Sequence, residues 1–373
     1  MKVLQVAKFY HPFIGGVEKV VQEIAEGLNN TIDMRVLVCR ILGFGKEAIV
    51  NGVRVAYASC VGVFLSMPIS LSLPFLLRRM SSGCDILHFH GPFPLGELAF
   101  LLVRPRARTI VWWHMDVIRQ KRMRALYRPV LLRFLRRVDR IIVATPQHID
   151  SSPVLPAFRD KCEVIPYGIE IERFRMSPAA REASDRVRER HGARIVLFVG
   201  RLVYYKGVTH LVRAMQQIDA KLLLVGDGPL KEDLRRAAAD LGVADKVCLL
   251  GGLSDDEITA HYHACDVFVL PSVANTEGFG LVQLEAMACG KPVVNTNLPT
   301  GVPYVSVDGE TGITVPPGDS LAIAAAVNRL LGDPDLRRRL GENGRRRVEN
   351  GFTRQRMVEK VLDLYRRLER PNA

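Results

Sequence analysis

Short apolar runs separated by helical stretches recur along almost the whole chain, and this rhythm does most to restrict its fold. In the first half the runs fall at 3–7, 34–39, 85–89, 109–113, 140–144 and 163–166, with an amphipathic helix expected over 18–28. In the second half they fall at 195–199, 221–225, 247–250, 267–270 and 292–294, with helices expected near 209–217, 229–241 and 255–264. Runs that are apolar throughout belong to strands covered on both faces, and intervening helices supply the cover. The chain therefore reads as α/β with two parallel sheets. Its 373 residues are long for one core. A first unit is expected over 1–170, a polar, Arg-rich linker over 171–194 and a second unit over 195–352. The tail 353–373 is expected to be a final helix.

Charge is unevenly spread. Residues 1–170 hold 23 Lys/Arg against 13 Asp/Glu, and residues 171–373 hold 29 against 26. Much of the excess lies in one basic segment that includes Arg119, Lys121, Arg122, Arg124, Arg128, Arg133, Arg136 and Arg137, interleaved with Leu126, Tyr127, Leu131 and Phe134. Such a helix suits an anionic membrane surface or another acidic partner, or is simply a solvated face. Pro129 is expected to start a second helix within it. No recognition motif or aromatic platform points to nucleic acid. Residues 55–77 lack charge and are long enough to span a bilayer, but Pro68, Pro74 and four serines interrupt them. A strand, a loop and a buried helix are expected there. The seven cysteines form no CxxC pair and no zinc-spaced cluster with histidine, and no signal peptide precedes the first strand. A reduced, cytoplasmic protein without a structural metal is expected.

Several loops at expected strand ends carry reactive residue types. Glu277 and Glu285 bracket the turn Gly278-Phe279-Gly280-Leu281-Val282, where a strand hands over to a helix. Bare amides at a helix start attract anions and oxygen-rich ligands. Gly15 and Gly16 allow backbone to approach a phosphate. Arg201 and Lys206 leave one strand end and can clamp a diphosphate, whereas the P-loop string of an NTPase is absent. His114 and Asp116 follow the run 109–113, and strand alternation puts His88 and His90 on one side. Each also has a plainer structural reading, as a tight turn, a surface cation or a hydrogen-bonded core histidine.

The string Glu277-x7-Glu285 with its glycines, Gly200-Arg201…Lys206-Gly207, Gly15-Gly16, Trp113-His114-Met-Asp116, Val225-Gly226-Asp-Gly228 and Gly251-Gly252-Leu253 together resemble glycosyltransferase family 4. The resemblance covers nearly the full chain. It implies the GT-B fold: two Rossmann-like parallel-sheet domains facing across a cleft, with the C-terminal helix crossing back to the first. It implies an acceptor-side first domain and a nucleotide-sugar-binding second domain. The reaction implied is retaining hexosyl transfer from a nucleotide-diphosphate sugar to a hydroxyl, with no cofactor and no metal. Arg201 and Lys206 would stabilise the leaving diphosphate, Glu277 the sugar, His114 the sugar from the other domain. Gly15, Gly16, Gly226, Leu253, Gly278, Phe279, Gly280, Leu281, Val282 and Glu285 would bind the donor, Leu253 at the base and Glu285 at the ribose. His90 and Asp116 would face the acceptor. The opening 9–18 and the segment 298–304 look like bacterial mannosyl- or rhamnosyltransferases of lipopolysaccharide O-antigen or exopolysaccharide assembly. A GDP-sugar donor, a polyprenyl-diphosphate-linked glycan acceptor and a peripheral place at the inner face of the cytoplasmic membrane follow as expectations. A UDP-sugar transferase with another acceptor, an epimerase or phosphorylase on the same fold, and a non-catalytic sugar-nucleotide-binding protein are the alternatives.

Overall fold

A computed structural model describes residues 1–13, 15–64, 67–115 and 121–369, the side chains of 121–126 excepted. The chain divides into two compact units, Met1–Tyr167 with Arg354–Ala373, and Gly168–Thr353.

The first unit is built on an eight-stranded sheet. Its central strand Lys2–Val6 pairs in parallel with Asp33–Cys39 on one side and Ile86–Gly91 on the other. Arg108–Trp113, Arg140–Val143 and Cys162–Val164 extend it beyond Ile86–Gly91, all in parallel. Val53–Ala58 extends it on the other side, and Lys46–Val50 closes that edge as the one antiparallel strand of the described sheet. This edge strand is half exposed and carries charge, which explains why apolar periodicity does not reveal it. Helix Gly16–Leu28 turns Val20, Val21, Ile24, Ala25 and Leu28 inward, the spacing of a single apolar stripe. The final helix Arg354–Leu368 belongs to this unit: a Cβ added to Gly27 would stand 3.0 Å from Val358, and Tyr365 is fully buried.

Two local expectations change. The stretch 55–77 becomes the strand Val53–Ala58, a hairpin of Gly62–Phe64 with Met67–Ile69, and a helix Leu73–Ser81 whose Phe75 is exposed. Among the described residues no helix is long and apolar enough to cross a membrane. Pro129 does not start a second helix; Lys121–Arg137 runs through it. The ring removes one hydrogen bond there. Burial of Leu131, Phe134 and Leu135 in the core holds the helix regardless.

The second unit has six parallel strands in the order Val247–Gly251, Lys221–Val225, Ile195–Val199, Val267–Leu270, Val293–Thr296, Gly312–Val315. Strand order reverses between Ile195–Val199 and Val267–Leu270. In open parallel sheets the loops leaving the carboxyl ends at such a reversal diverge to opposite faces and leave room for a ligand. The stretch 171–194 is not free linker. It holds helix Pro178–His191, capped by the Ser177 hydroxyl, within this unit.

Candidate active site

The reversal point of the second sheet brings together residues that are 71 apart in sequence. The loop after Ile195–Val199 carries Arg201 and Lys206, and the loop after Val267–Leu270 carries Glu277. Backbone contact joins them. The Val273 amide donates to the Tyr205 carbonyl at 2.8 Å. Gly207 has φ +67°, and a Cβ there would stand 2.0 Å from the Pro271 carbonyl oxygen. Only glycine permits that approach. With the loops locked, Lys206 Nζ lies 2.5 Å from Glu277 Oε2, the side chains 12% and 9% exposed. The Ser272 hydroxyl donates to the same carboxylate oxygen at 3.1 Å. An ammonium has three donors, so Lys206 keeps hydrogen-bonding capacity beyond Glu277. Arg201 stands exposed on the same loop, and no described ion pair holds it.

Glu277 leads into helix Leu281–Ala288, whose N-cap is Gly280 at φ +72°. The first amides of a helix, here those of Leu281 and Val282, have no carbonyl behind them and carry the positive end of the helix dipole. A buried network fixes this start. Gln283 donates to the Phe279 carbonyl at 3.2 Å, and Asn295 donates to Gln283 at 2.9 Å. The Gly301 amide donates to the Gly278 carbonyl at 2.7 Å. Phe279 turns into the core, its ring 6.2 Å from Phe352, so its side chain packs rather than lines the site. Glu285 is half-buried and accepts from the Tyr262 hydroxyl at 2.7 Å. Tyr262 is fully buried, and burial, then the Glu285 charge, pushes its phenol well above the usual range. The two glutamates therefore have different partners: Glu277 a cation, Glu285 a neutral phenol.

Gly226 and Leu253 lie toward the Val247–Gly251 edge. Gly226 has φ +123° and a Cβ would stand 2.2 Å from the Gly200 carbonyl oxygen, so its loop lies directly on that of Arg201. Asp227 ties this loop to the next, accepting from the Gly252 amide at 2.9 Å and from Lys231 at 2.8 Å; these bonds hold its carboxyl below the usual range. Leu253 borders a cavity of about 770 Å³ that helix Pro178–His191 shares through Arg186 and Arg190. Ser254 caps helix Asp255–Ala264 in a reciprocal box with Glu257.

In the first unit, Gly15 and Gly16 open helix Gly16–Leu28. Gly16 is exposed with nothing near its missing side chain. Glu18 folds back so that a Cβ on Gly15 would meet its carboxylate oxygen at 2.2 Å. Burial raises the Glu18 carboxyl and lowers the Lys8 ammonium, and the opposite charge of each offsets the other's shift. The helix end thus already faces a carboxylate.

His114 follows strand Arg108–Trp113 and is buried. Its Nδ1 is 2.7 Å from the Tyr167 hydroxyl and its Nε2 is 3.0 Å from His90 Nδ1. His90 Nε2 is 3.0 Å from Gln5 Oε1. An amide oxygen only accepts, so His90 Nε2 carries its proton and Nδ1 accepts; His114 then donates from Nε2, and Tyr167 donates to its Nδ1. Burial pushes the His114 imidazole down to about 3 and His90 well below its ordinary value, so both are neutral. His90 is only 2% exposed. Both its nitrogens are spent inside the unit, where it orients His114. His88, beside it, is bonded to Tyr365 of the final helix at 2.6 Å. Asp116 lies outside the described residues. Among those described, no three His, Cys, Asp or Glu side chains are placed to hold a metal.

Sequence reading overlooked Ser272, Tyr262, Tyr167 and Gln5. Ser272 had a signal, as a polar residue closing an apolar strand just before Glu277. Tyr262 and Glu285 sit on different helices, and no local spacing links them.

The chain matches the family model described as glycosyl transferases group 1 over residues 180–347 and that of glycosyltransferase family 4 over residues 14–173. It is 33% identical to the O-antigen chain mannosyltransferase C of Escherichia coli, covering 98% of each chain. It is 33% identical to the D-rhamnosyltransferase WbpZ of Pseudomonas aeruginosa, over 95% of this chain and 92% of that one. A GDP-mannose-dependent phosphatidylinositol monomannoside mannosyltransferase of Mycolicibacterium smegmatis is 32% identical over 92% of both. Among solved structures, Anabaena Alr3699/HepE in complex with UDP superposes with a TM-score of 0.81 at 20% identity, over 98% of this chain and all of that one. Sucrose-phosphate synthase of Thermosynechococcus elongatus superposes at 0.76 and 24% identity, over 99% of both. Two parallel-sheet units, family models matching both halves, and relatives at one-third identity over nearly the full length lead to one conclusion: the chain belongs to glycosyltransferase family 4 and is a glycosyltransferase with the GT-B fold.

Proposed function

We infer that this protein moves a mannosyl or rhamnosyl group from a GDP-linked donor to a hydroxyl of a polyprenyl-diphosphate-linked glycan, with retention and without a metal, during cell-surface polysaccharide synthesis. The observation that carries the chemistry is the Lys206–Glu277 pair at the sheet reversal beside a bare helix start. The near-full-length likeness to a mannosyl- and a rhamnosyltransferase supports the sugar, and the GDP-mannose-dependent relative supports the base.

In this reading the bond from the anomeric carbon to the β-phosphate oxygen breaks, and the electron pair leaves with the diphosphate. Arg201, Lys206 and the Leu281 and Val282 amides stabilise that charge as it develops. Such fixed positive groups do the work a divalent ion does elsewhere. Glu277 accepts sugar hydroxyls and faces the developing positive centre. Glu285, which also accepts from Tyr262, accepts ribose hydroxyls. The acceptor oxygen attacks from the face the diphosphate leaves, and its proton passes to a phosphate oxygen. His114 holds the sugar after exchanging its bond to His90. The enzyme works at the inner face of the cytoplasmic membrane, where a formal charge of +13 favours anionic lipid and a diphosphate-bearing acceptor.

A donor panel scored by slow hydrolysis tests this without knowledge of the acceptor. GDP-mannose or GDP-rhamnose should be consumed, with or without EDTA, and Glu277→Ala should abolish consumption. Turnover of UDP-glucose alone would overturn the donor assignment. Hydrolysis untouched by Glu277→Ala would overturn the role of that residue.

A further inference from the structure

We propose that Ser272 is a positioning residue: its hydroxyl holds the Glu277 carboxylate so that Oε1 faces the transferred sugar while Lys206 is engaged with the diphosphate. This role rests on the proposed function, which assigns Glu277 to the sugar.

Ser272 is fully buried just beyond strand Val267–Leu270. Its backbone is pinned on both sides. The Thr296 hydroxyl donates to the Ser272 carbonyl at 2.6 Å, and the next amide, that of Val273, donates to the Tyr205 carbonyl at 2.8 Å. Thr296 is itself fully buried and closes strand Val293–Thr296, which runs parallel beside Val267–Leu270. The residue before it, Asn295, holds Gln283 in the first turn of helix Leu281–Ala288. One strand end thus braces both the carboxylate and the bare amides of the site.

A buried hydroxyl needs a partner, and most side-chain bonds go to backbone or to neutral groups. Ser81 bonds the Arg78 carbonyl, and Ser306 the Thr311 hydroxyl. Ser272 instead reaches a carboxylate five residues on, donating to Glu277 Oε2 at 3.1 Å. A carboxylate only accepts, so the direction of this bond is fixed. Bonds to an ionised acceptor are roughly twice as strong as neutral ones.

Lys206 meets the same oxygen, Oε2, at 2.5 Å. Among the described hydrogen bonds and ion pairs, none reaches Oε1. A carboxylate held by one donor at one oxygen still turns about that point. Two donors from different loops, one after Ile195–Val199 and one after Val267–Leu270, fix its plane and leave Oε1 to a ligand. The lysine alone is a poor clamp, because an ammonium is a point charge on a flexible stem. Lys206 Nζ lies 3.6 Å from where a Cβ on Gly200 would stand, so it is folded back over its own strand end beside Arg201. As the leaving diphosphate takes up charge, that ammonium is drawn toward it. Ser272 carries no charge and is fixed by its backbone, so it does not follow. Its bond keeps Glu277 in register with the sugar while the lysine shifts.

Donor hydrolysis, with GDP-mannose as the expected donor, and GDP binding by calorimetry test this on wild type and Ser272→Ala. The variant should lose about 10- to 30-fold in kcat with KM within about twofold, as expected for one hydrogen bond to a charged group that is needed in the transition state. GDP lacks the sugar that Glu277 would hold. Affinity for it should stay within about twofold, and the melting temperature within about 3 degrees. A kcat equal to that of wild type would show that the hydroxyl only satisfies the core, and overturns the proposal. A loss of GDP affinity and melting temperature in step with kcat would mark a structural role, and overturns it too. Either result leaves the transferase reading intact. A wild type that hydrolyses no nucleotide sugar would remove that reading, and the role of Ser272 with it.

Discussion

Lys206 Nζ stands 2.5 Å from Glu277 Oε2 because the loops that carry them leave adjacent parallel strands at the point where strand order reverses. Both side chains are nearly buried, so each charge depends on the other. Lys206→Met or Glu277→Gln should lower kcat by about 100- to 1000-fold, as loss of a preorganised stabilising group does. Each should also destabilise the fold by roughly 3 kcal/mol, because one partner is left without its counter-charge. The double variant should recover part of the stability and none of the turnover. Denaturant titration of the four proteins checks this, and strictly additive stabilities would show that the pair is not coupled.

Tyr262 presents its hydroxyl to Glu285 at 2.7 Å. Tyr262→Phe removes that bond and, in the proposed donor pose, leaves the carboxylate less well placed for the ribose. Donor KM should rise by about tenfold, the cost of one hydrogen bond to a charged group, with kcat within about twofold. A fall in kcat at unchanged KM would mean that Glu285 acts on the reacting sugar instead.

Two glycines separate structural need from ligand need. Gly207→Ala puts a Cβ against the Pro271 carbonyl at a positive φ, and should cost about 2–4 kcal/mol in stability. Gly16 has open space around it. Gly16→Ala should leave the melting temperature within a degree or two and still raise donor KM if a phosphate approaches the backbone there. Unchanged kinetics in Gly16→Ala would reduce Gly15-Gly16 to a plain turn.

Stability should respond to pH in two opposed ways. Burial pushes the His88 and His114 imidazoles down to about 3, and His90 is lowered as well. The unfolded chain therefore binds protons that the folded one refuses. Stability from these histidines is present above their ordinary value of 6.5 and is lost as pH falls below it toward 3. His88→Asn, which keeps a partner for Tyr365, should make that fall shallower. Glu97 acts in the other direction. Burial raises its carboxyl to about 7, while bonds from Tyr127 and the Phe93 amide pull it back. Its contribution is full below its ordinary 4.5 and is lost as pH rises through about 7. Glu97→Gln should remove the decline between those values. Thermal melts across pH 4 to 8 decide both, and a Glu97→Gln profile that parallels wild type would show that the carboxyl does not titrate there.

The alternation of buried strands with helices was legible, and in the second half the runs 195–199, 221–225 and 267–270 coincide with observed strands. In the two large sheets the strands missed, Lys46–Val50 and Gly312–Val315, are edges with a half-exposed or mixed pattern, for which apolar periodicity carries little signal. Glycine-bounded loops at strand ends likewise marked Arg201, Lys206, Glu277 and Glu285 as residues to watch.

What sequence could determine is local: period, turn chemistry, and the motifs that tie the chain to its family. Which side chains meet was decided by the tertiary structure. Strand order brings Lys206 to Glu277, packing of separate helices brings Tyr262 to Glu285, and adjacent strands line up Gln5, His90 and His114. The same holds for the exposed apolar surface at 41–75. In sequence its part 55–75 is an uncharged stretch indistinguishable from a core segment. Only the fold shows which of its side chains the core has no room to cover.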